Sequence, residues 1–132
     1  MSNKNEELTR TAYEALARGD LQTMLAFVDE ALEWTYLDPN DPETGPQVCH
    51  GRHQLESTLR HWADHGFKVL LEEIEGRGER VMVGVRVPGI DAHYGGYLDD
   101  RAYNVLTLRD GRIVALRDCR ARAEALAAVR GE

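Results

Sequence analysis

From the amino end, apolar residues first recur at helical spacing. Leu8, Ala12, Ala15 and Leu16 share one side of residues 4–18, which predicts an amphipathic helix. Gly19 ends it, and Asp20 caps a second helix with the stripe Leu21, Met24, Leu25 and Val28. The period then drops to two. In "ALEWTYLD", Leu32, Trp34 and Tyr36 alternate with Glu33 and Thr35, the pattern of a half-buried strand. Residues 38–48, "DPNDPETGPQV", hold three of the four prolines and predict a loop, because proline lacks the N–H that helix and sheet need. Leu55, Leu59 and Trp62 then stand at i, i+4 and i+7, predicting a third helix from about Arg52 to His65, stopped by Gly66. "KVLLEEIEG", "ERVMVGVRV", "RAYNVLTLR" and the start of "RDGRIVALRDCRAR" read as strands, and the Ala-rich stretch 121–129 as a short last helix.

Helices gathered early and strands joined by short turns late describe an α+β fold, with an antiparallel sheet built from the successive strands. Residues 1–132 suffice for one domain and are too few for two ordinary ones. A charge of −7 argues against a nucleic-acid partner, whose phosphates call for clustered Lys and Arg. No apolar run reaches the length of a membrane span, and "MSNKNEELTR" has no signal-peptide core. Two cysteines, Cys49 and Cys119, make no disulfide framework. Together these features predict a cytoplasmic protein with no nucleic-acid and no membrane partner.

Asp110-Gly111 fits the two-residue loop of a type I′ hairpin. Counting outward from it predicts Thr107 opposite Val114, Val105 opposite Leu116, and Tyr103 opposite Asp118, all on one face. The other face would carry Leu106, Leu108, Ile113 and Ala115. Both faces are apolar near the turn, so both need cover: helices on one, a second copy of the chain on the other. A homodimer is expected on this ground. Asp118 then points where its neighbours point methyl groups. Burying an unpaired polar group costs about 2–7 kcal/mol, so this carboxylate needs donors, an ion-pair partner or a proton. Tyr103 could donate to it. Desolvation would raise its pKa toward the range useful for acid/base chemistry. The alternative is a solvated carboxylate, or one paired with Arg117, Arg120 or Arg122.

"ALARGDLQTMLAFVDEALEW", "CHGRHQLESTLRHW" and "YNVLTLRDGRIVALRDCRAR", in that order over nearly the whole chain, resemble the SnoaL-like branch of the nuclear transport factor 2-like superfamily. The resemblance implies a cone: a strongly curved antiparallel sheet wrapped around about three N-terminal helices, with an apolar internal pocket and commonly a dimer. The family includes polyketide cyclases, ketosteroid isomerases and limonene epoxide hydrolases. In the cyclases and epoxide hydrolases a last-strand aspartate acts as acid or base, and Asp118 in "LRDCR" is similar to it. Two departures separate this chain from the epoxide hydrolases. Pro88 in "VRVPG" stands where a second aspartate would be, and Trp34-Thr35-Tyr36 lacks their asparagine.

The resemblance implies pocket-lining roles for several residues. Trp34 and Tyr36, in phase with Leu32, are expected to point inward as wall or as core. Trp62 lies on the apolar stripe of the third helix, where plain core packing is the commoner role of an aromatic and pocket lining is the functional alternative. His50 follows the proline-rich loop at the expected pocket mouth. Arg86 is in phase with Met82 and Gly84. Pointing inward it would pair with Asp118 or bind an oxyanion; pointing outward it belongs to an interface or the surface. His61 and His65 stand at i, i+4 to the side of the apolar stripe and read as exposed, with no metal site expected. The resulting expectation is a cofactor-independent isomerase or cyclase with Asp118 and Tyr103 catalytic. Its substrate would be a small apolar oxygenated molecule, polyketide-, terpenoid- or steroid-like. The alternative is a binding or interaction module with the same pocket and no chemistry.

Overall fold

The computed structural model describes residues 3–37, 43, 45–94 and 98–131. Helix α1 (Lys4–Ala17) starts at Asn3, whose Oδ1 accepts from the Glu6 amide at 3.0 Å. It stops at Gly19, where φ is +80° and the Asp20 amide reaches back to the Ala15 carbonyl at 2.8 Å. Asp20 then caps α2 (Leu21–Ala26), accepting from the Thr23 amide at 3.2 Å and the Thr23 hydroxyl at 2.6 Å. These bonds hold the Asp20 carboxyl below its ordinary pKa. The expected second stripe ended at Val28. The helix stops short of it, and Val28 opens strand β1 (Val28–Tyr36) by pairing with Ile113.

The proline-rich segment lies partly outside the described residues. At its end the chain forms strand β2 (Gln47–His50), a short edge strand where the prolines predict loop. Helix α3 (Arg52–Asp64) follows Gly51, whose φ of 102° and ψ of 146° are open essentially to glycine alone. The Gly51 amide donates to the Leu32 carbonyl at 2.7 Å, which locks the helix start to β1. A Cβ here would meet only the Glu30 carbonyl oxygen, at 3.9 Å, so the penalty for a side chain is backbone strain. Gly51→Ala should therefore cost about 1–3 kcal/mol in urea unfolding. An unchanged midpoint would show that the junction relaxes freely.

Strands β3 (Leu70–Arg77) and β4 (Arg80–Arg86) form a hairpin. Helix α4 (Ile90–Tyr94) and a 3₁₀ turn (Leu98–Asp100) lead into β5 (Arg101–Arg109) and β6 (Arg112–Cys119), and α5 (Arg122–Arg130) follows. The six strands form one curved, unclosed sheet in the order β2-β1-β6-β5-β4-β3. Every pairing is antiparallel except β1 with β6, which is parallel. Short turns dictate direction only between consecutive strands. β1 reaches β6 across most of the chain, so that rule does not bind it.

The hairpin turn forms as expected, with Asp110 at φ 51° and Gly111 at φ 76°. Two steps out the register departs from expectation. Leu108 still pairs with Ile113, but Thr107 pairs with Ala115, leaving Val114 as a bulge. β1 slips beside it, between Val28 and Glu33, so both strands bend at the same place. A one-residue slip turns side chains to the opposite face. Asp118 consequently faces Asn104, and Tyr103 faces Cys119.

The bulge also revises how the faces are covered. Leu106, Leu108, Ile113 and Leu116 join Val81, Val83 and Val85 in the main core, under Ala12 and Tyr13 of α1, Met24 and Leu25 of α2, and Leu55 and Leu59 of α3. The other face puts Met82, Val105 and Cys119 against Ala125, Leu126 and Val129 of α5. Bidentate pairs bind α5 to β3, Arg122 with Glu73 at 2.7 Å and Arg130 with Glu75 at 2.8 Å. The Leu106, Leu108 and Ile113 face thus lies beneath the chain's own helices. The reason given for a homodimer falls away, leaving the family resemblance as its support.

Candidate functional site

Asp118 lies near the end of β6 on the face that meets the helices, one step of alternation beyond Leu116. Three groups donate to its carboxylate. The Trp34 indole Nε1 reaches Oδ1 at 3.1 Å from β1, and the Asn104 side-chain amide reaches the same oxygen at 3.0 Å from β5. The Leu37 backbone amide, just past the end of β1, reaches Oδ2 at 3.2 Å. The parallel β1–β6 pairing makes this possible, because it sets Trp34 beside Leu116. The indole then points along the sheet to the next inward residue of β6.

Burial pushes the Asp118 pKa up to about 6, against the opposing pull of the Trp34 and Leu37 hydrogen bonds. Solvent still touches the residue, which is only half-buried by surface. Tyr13, buried on α1, is close enough to feel it. Burial first, and then the Asp118 charge, raise the Tyr13 phenol above its ordinary pKa, so it stays a protonated donor. The neighbouring arginines are engaged elsewhere: Arg117 with Glu124 at 3.2 Å, and Arg122 with Glu73. Among the described residues Asp118 is held by neutral donors, and none of Arg117, Arg120 and Arg122 forms an ion pair with it.

Residues 9–116 match the family model for the SnoaL-like domain. The chain belongs to the SnoaL-like family. No curated protein matches its sequence. Among solved structures, an NTF2-like protein of unknown function from Burkholderia pseudomallei is 26% identical over 98% of each chain, with a TM-score of 0.63. A candidate polyketide cyclase from Sinorhizobium meliloti is 13% identical over 86% of this chain and 94% of its own, TM-score 0.63. A candidate ketosteroid isomerase from Kribbella flavida is 19% identical over 86% of this chain and 75% of its own, TM-score 0.61. At these identities the last two establish the fold alone.

The SnoaL-like chain brings together only part of the expected constellation. Trp34 is hydrogen-bonded to Asp118, and Tyr36 packs on Trp34 with ring centroids 5.4 Å apart. The Tyr36 hydroxyl donates to Gln47 Oε1 at 2.8 Å, fastening β1 to the edge strand. Trp62 packs half-buried against the main core from α3. Tyr103 is not opposite Asp118. It lies on the other face over Gly84, where a Cβ would stand 3.3 Å from its ring. Arg86 is on that outer face too, exposed and 3.7 Å from Glu72, so it takes the outward of its two expected placements. His50 pairs with Glu33, out of phase with Trp34, and is exposed. His61 and His65 are exposed, as expected.

The sequence reading missed Tyr13, Asn104 and the Leu37 amide. Tyr13 stands beside Ala12 on the apolar stripe of α1, and a lone phenol in that stripe was the available signal. Asn104 faces Asp118 only because of the bulge, one step of register from its place in a regular hairpin. A backbone amide leaves no sequence signal. A separate groove of about 710 Å³, between α2 and α3, is lined by Leu21, Leu25, Arg52, Glu56 and Arg60 and excludes all of these residues. Its Arg52 is occupied with the Leu25 and Val28 carbonyls, so the groove offers no comparable chemistry.

Proposed function

We propose that this SnoaL-like chain moves a proton next to a carbonyl in a small, mostly apolar, oxygenated molecule, giving isomerisation or cyclisation. Polyketide-, terpenoid- and steroid-like compounds are the substrate class. The observation that carries this reading is Asp118, a carboxylate on the core face of β6 held by three neutral donors, whose burial pushes its pKa up to about 6. A base of that strength is mostly ionised at neutral pH and still holds a proton well enough to return it. The names of the structural neighbours, a candidate polyketide cyclase and a candidate ketosteroid isomerase, point to the same class of chemistry.

In the proposed reaction the Asp118 carboxylate removes a proton from the carbon beside the substrate carbonyl. The electron pair of the C–H bond moves into an enolate, and the carbonyl oxygen becomes the oxyanion. The Tyr13 hydroxyl, kept protonated by its surroundings, donates to that oxygen. Where the substrate carries a C=C β,γ to the carbonyl, the enolate is a dienolate; protonated Asp118 returns the proton to its γ carbon and the double bond moves into conjugation, which is the isomerisation. For cyclisation, the enolate carbon instead attacks a second carbonyl of the same molecule, whose oxygen takes the proton. The carboxylate supplies and recovers the proton itself, so the step requires no cofactor.

Deuterium exchange into a panel of enolisable ketones, followed by NMR in heavy water, tests this before the true substrate is identified. Exchange faster with the native chain than with Asp118→Asn supports the reading. Binding of panel members with no exchange above the Asn variant favours the alternative, a module that binds without chemistry. That alternative draws on the three donors, which already satisfy the carboxylate. On a turned-over ketone, Tyr13→Phe should lower kcat by about 10²–10³, the usual effect of removing one oxyanion donor. An unchanged kcat would remove Tyr13 from the mechanism.

A further inference from the structure

The two oxygens of Asp118 are not equivalent. Oδ1 accepts from both Trp34 Nε1 at 3.1 Å and Asn104 Nδ2 at 3.0 Å, while Oδ2, among the described residues, accepts only from the Leu37 amide, at 3.2 Å. Both donors to Oδ1 are side chains on neighbouring strands of the sheet, one on each side of β6. The orientation of the Asn104 amide is forced. An ionised carboxylate only accepts, so the nitrogen, not the oxygen, must face it. Asn104 arrives opposite Asp118 because Val114 bulges out of register, so the bend in the sheet and the pairing of these two residues have one origin.

We infer that Asn104 is a positioning residue: with the Trp34 indole it occupies Oδ1 of Asp118 and leaves Oδ2 as the oxygen that takes and returns the proton. This rests on Asp118 being the acid/base of the proposed reaction. Two donors draw electron density from Oδ1 and block its approach, whereas Oδ2 keeps lone-pair density beside one backbone donor. The substrate C–H must then be presented on the Leu37 side of the carboxylate rather than the Trp34 side. The residue type at 104 is also constrained. Aspartate would set two carboxylates against one another, and leucine, of similar volume, would offer no donor.

The test is an NMR titration of ¹⁵N,¹³C-labelled protein from pH 4 to pH 8. In the native chain the Leu37 amide proton should move most as Asp118 titrates, because Oδ2 stops being a full acceptor when it gains the proton. The Trp34 indole and Asn104 side-chain signals should move less. The opposite ranking assigns the proton to Oδ1 and overturns the inference. In Asn104→Leu, loss of a donor to the ionised form should raise the proton affinity of Asp118 by about tenfold or more. An unchanged Asp118 titration in that folded variant also overturns it. On a turned-over ketone, the acid limb of the pH–rate profile should move with the titration. A titration that moves while the acid limb stays put overturns the acid/base reading and leaves the hydrogen-bond assignment standing.

Discussion

Asp118→Asn should lower turnover by about 10²–10⁴, the usual contribution of a general acid/base. The substitution preserves shape and removes the one group at the site able to exchange a proton near neutral pH. Its effect on stability is more balanced, because the three donors were arranged for a carboxylate. An asparagine can turn its oxygen toward Trp34 and Asn104, but its amide nitrogen then faces the Leu37 N–H. Two opposed donors cost about 1–3 kcal/mol, while removing a charge from an enclosed site acts in the other direction. The variant should remain folded. A kcat within threefold of the native value would exclude Asp118 as the acid/base.

That balance shifts with pH and yields the second large effect. Asp118 titrates at about 6 in the fold, against an ordinary value of 3.8, so the native state holds its proton more tightly than the unfolded chain does. The stabilisation from its protonated form is fully present below about pH 3.8 and is lost as pH rises through 6. A shift of this size corresponds to about 3 kcal/mol. Asp118→Asn lacks this dependence. Relative to the native chain, the variant should therefore gain about 2.4 kcal/mol between pH 4 and pH 7, the rest of the effect lying below pH 4. Asp20, Glu75 and Asp100 have lowered pKa values and act in the opposite sense, adding stability as pH rises. They are present in both proteins and cancel in the difference. Urea unfolding at pH 4, 5, 6 and 7 measures it directly, and a constant gap between the two proteins would contradict an enclosed Asp118.

The residues that shape the fold were readable because their constraints are local. Gly19 and Asp20 separate α1 from α2, Gly66 follows α3, and Asp110-Gly111 makes the hairpin turn through its own backbone preferences. The aspartate among apolar neighbours was readable for the same reason, since alternation along β6 needs only a few residues. What could not be read depends on distant parts of the chain. The Val114 bulge forms beside the slip in β1, and nothing within β6 announces it. One unforeseen residue of slip exchanged Tyr103 for Asn104 beside Asp118 and turned Ala115 away from the core face. The parallel pairing of β1 with β6, which delivers the Trp34 indole, joins segments about eighty residues apart in sequence. Tyr13 reaches the site only through the packing of α1 across the sheet.

Asp118, enclosed by the fold, is poised between its charged and neutral forms near neutral pH. A ¹³C NMR titration of its side-chain carboxyl in the native chain reads that poise. The predicted midpoint is about 6. A midpoint at or below 3.8, the value of an ordinary aspartate, would contradict it.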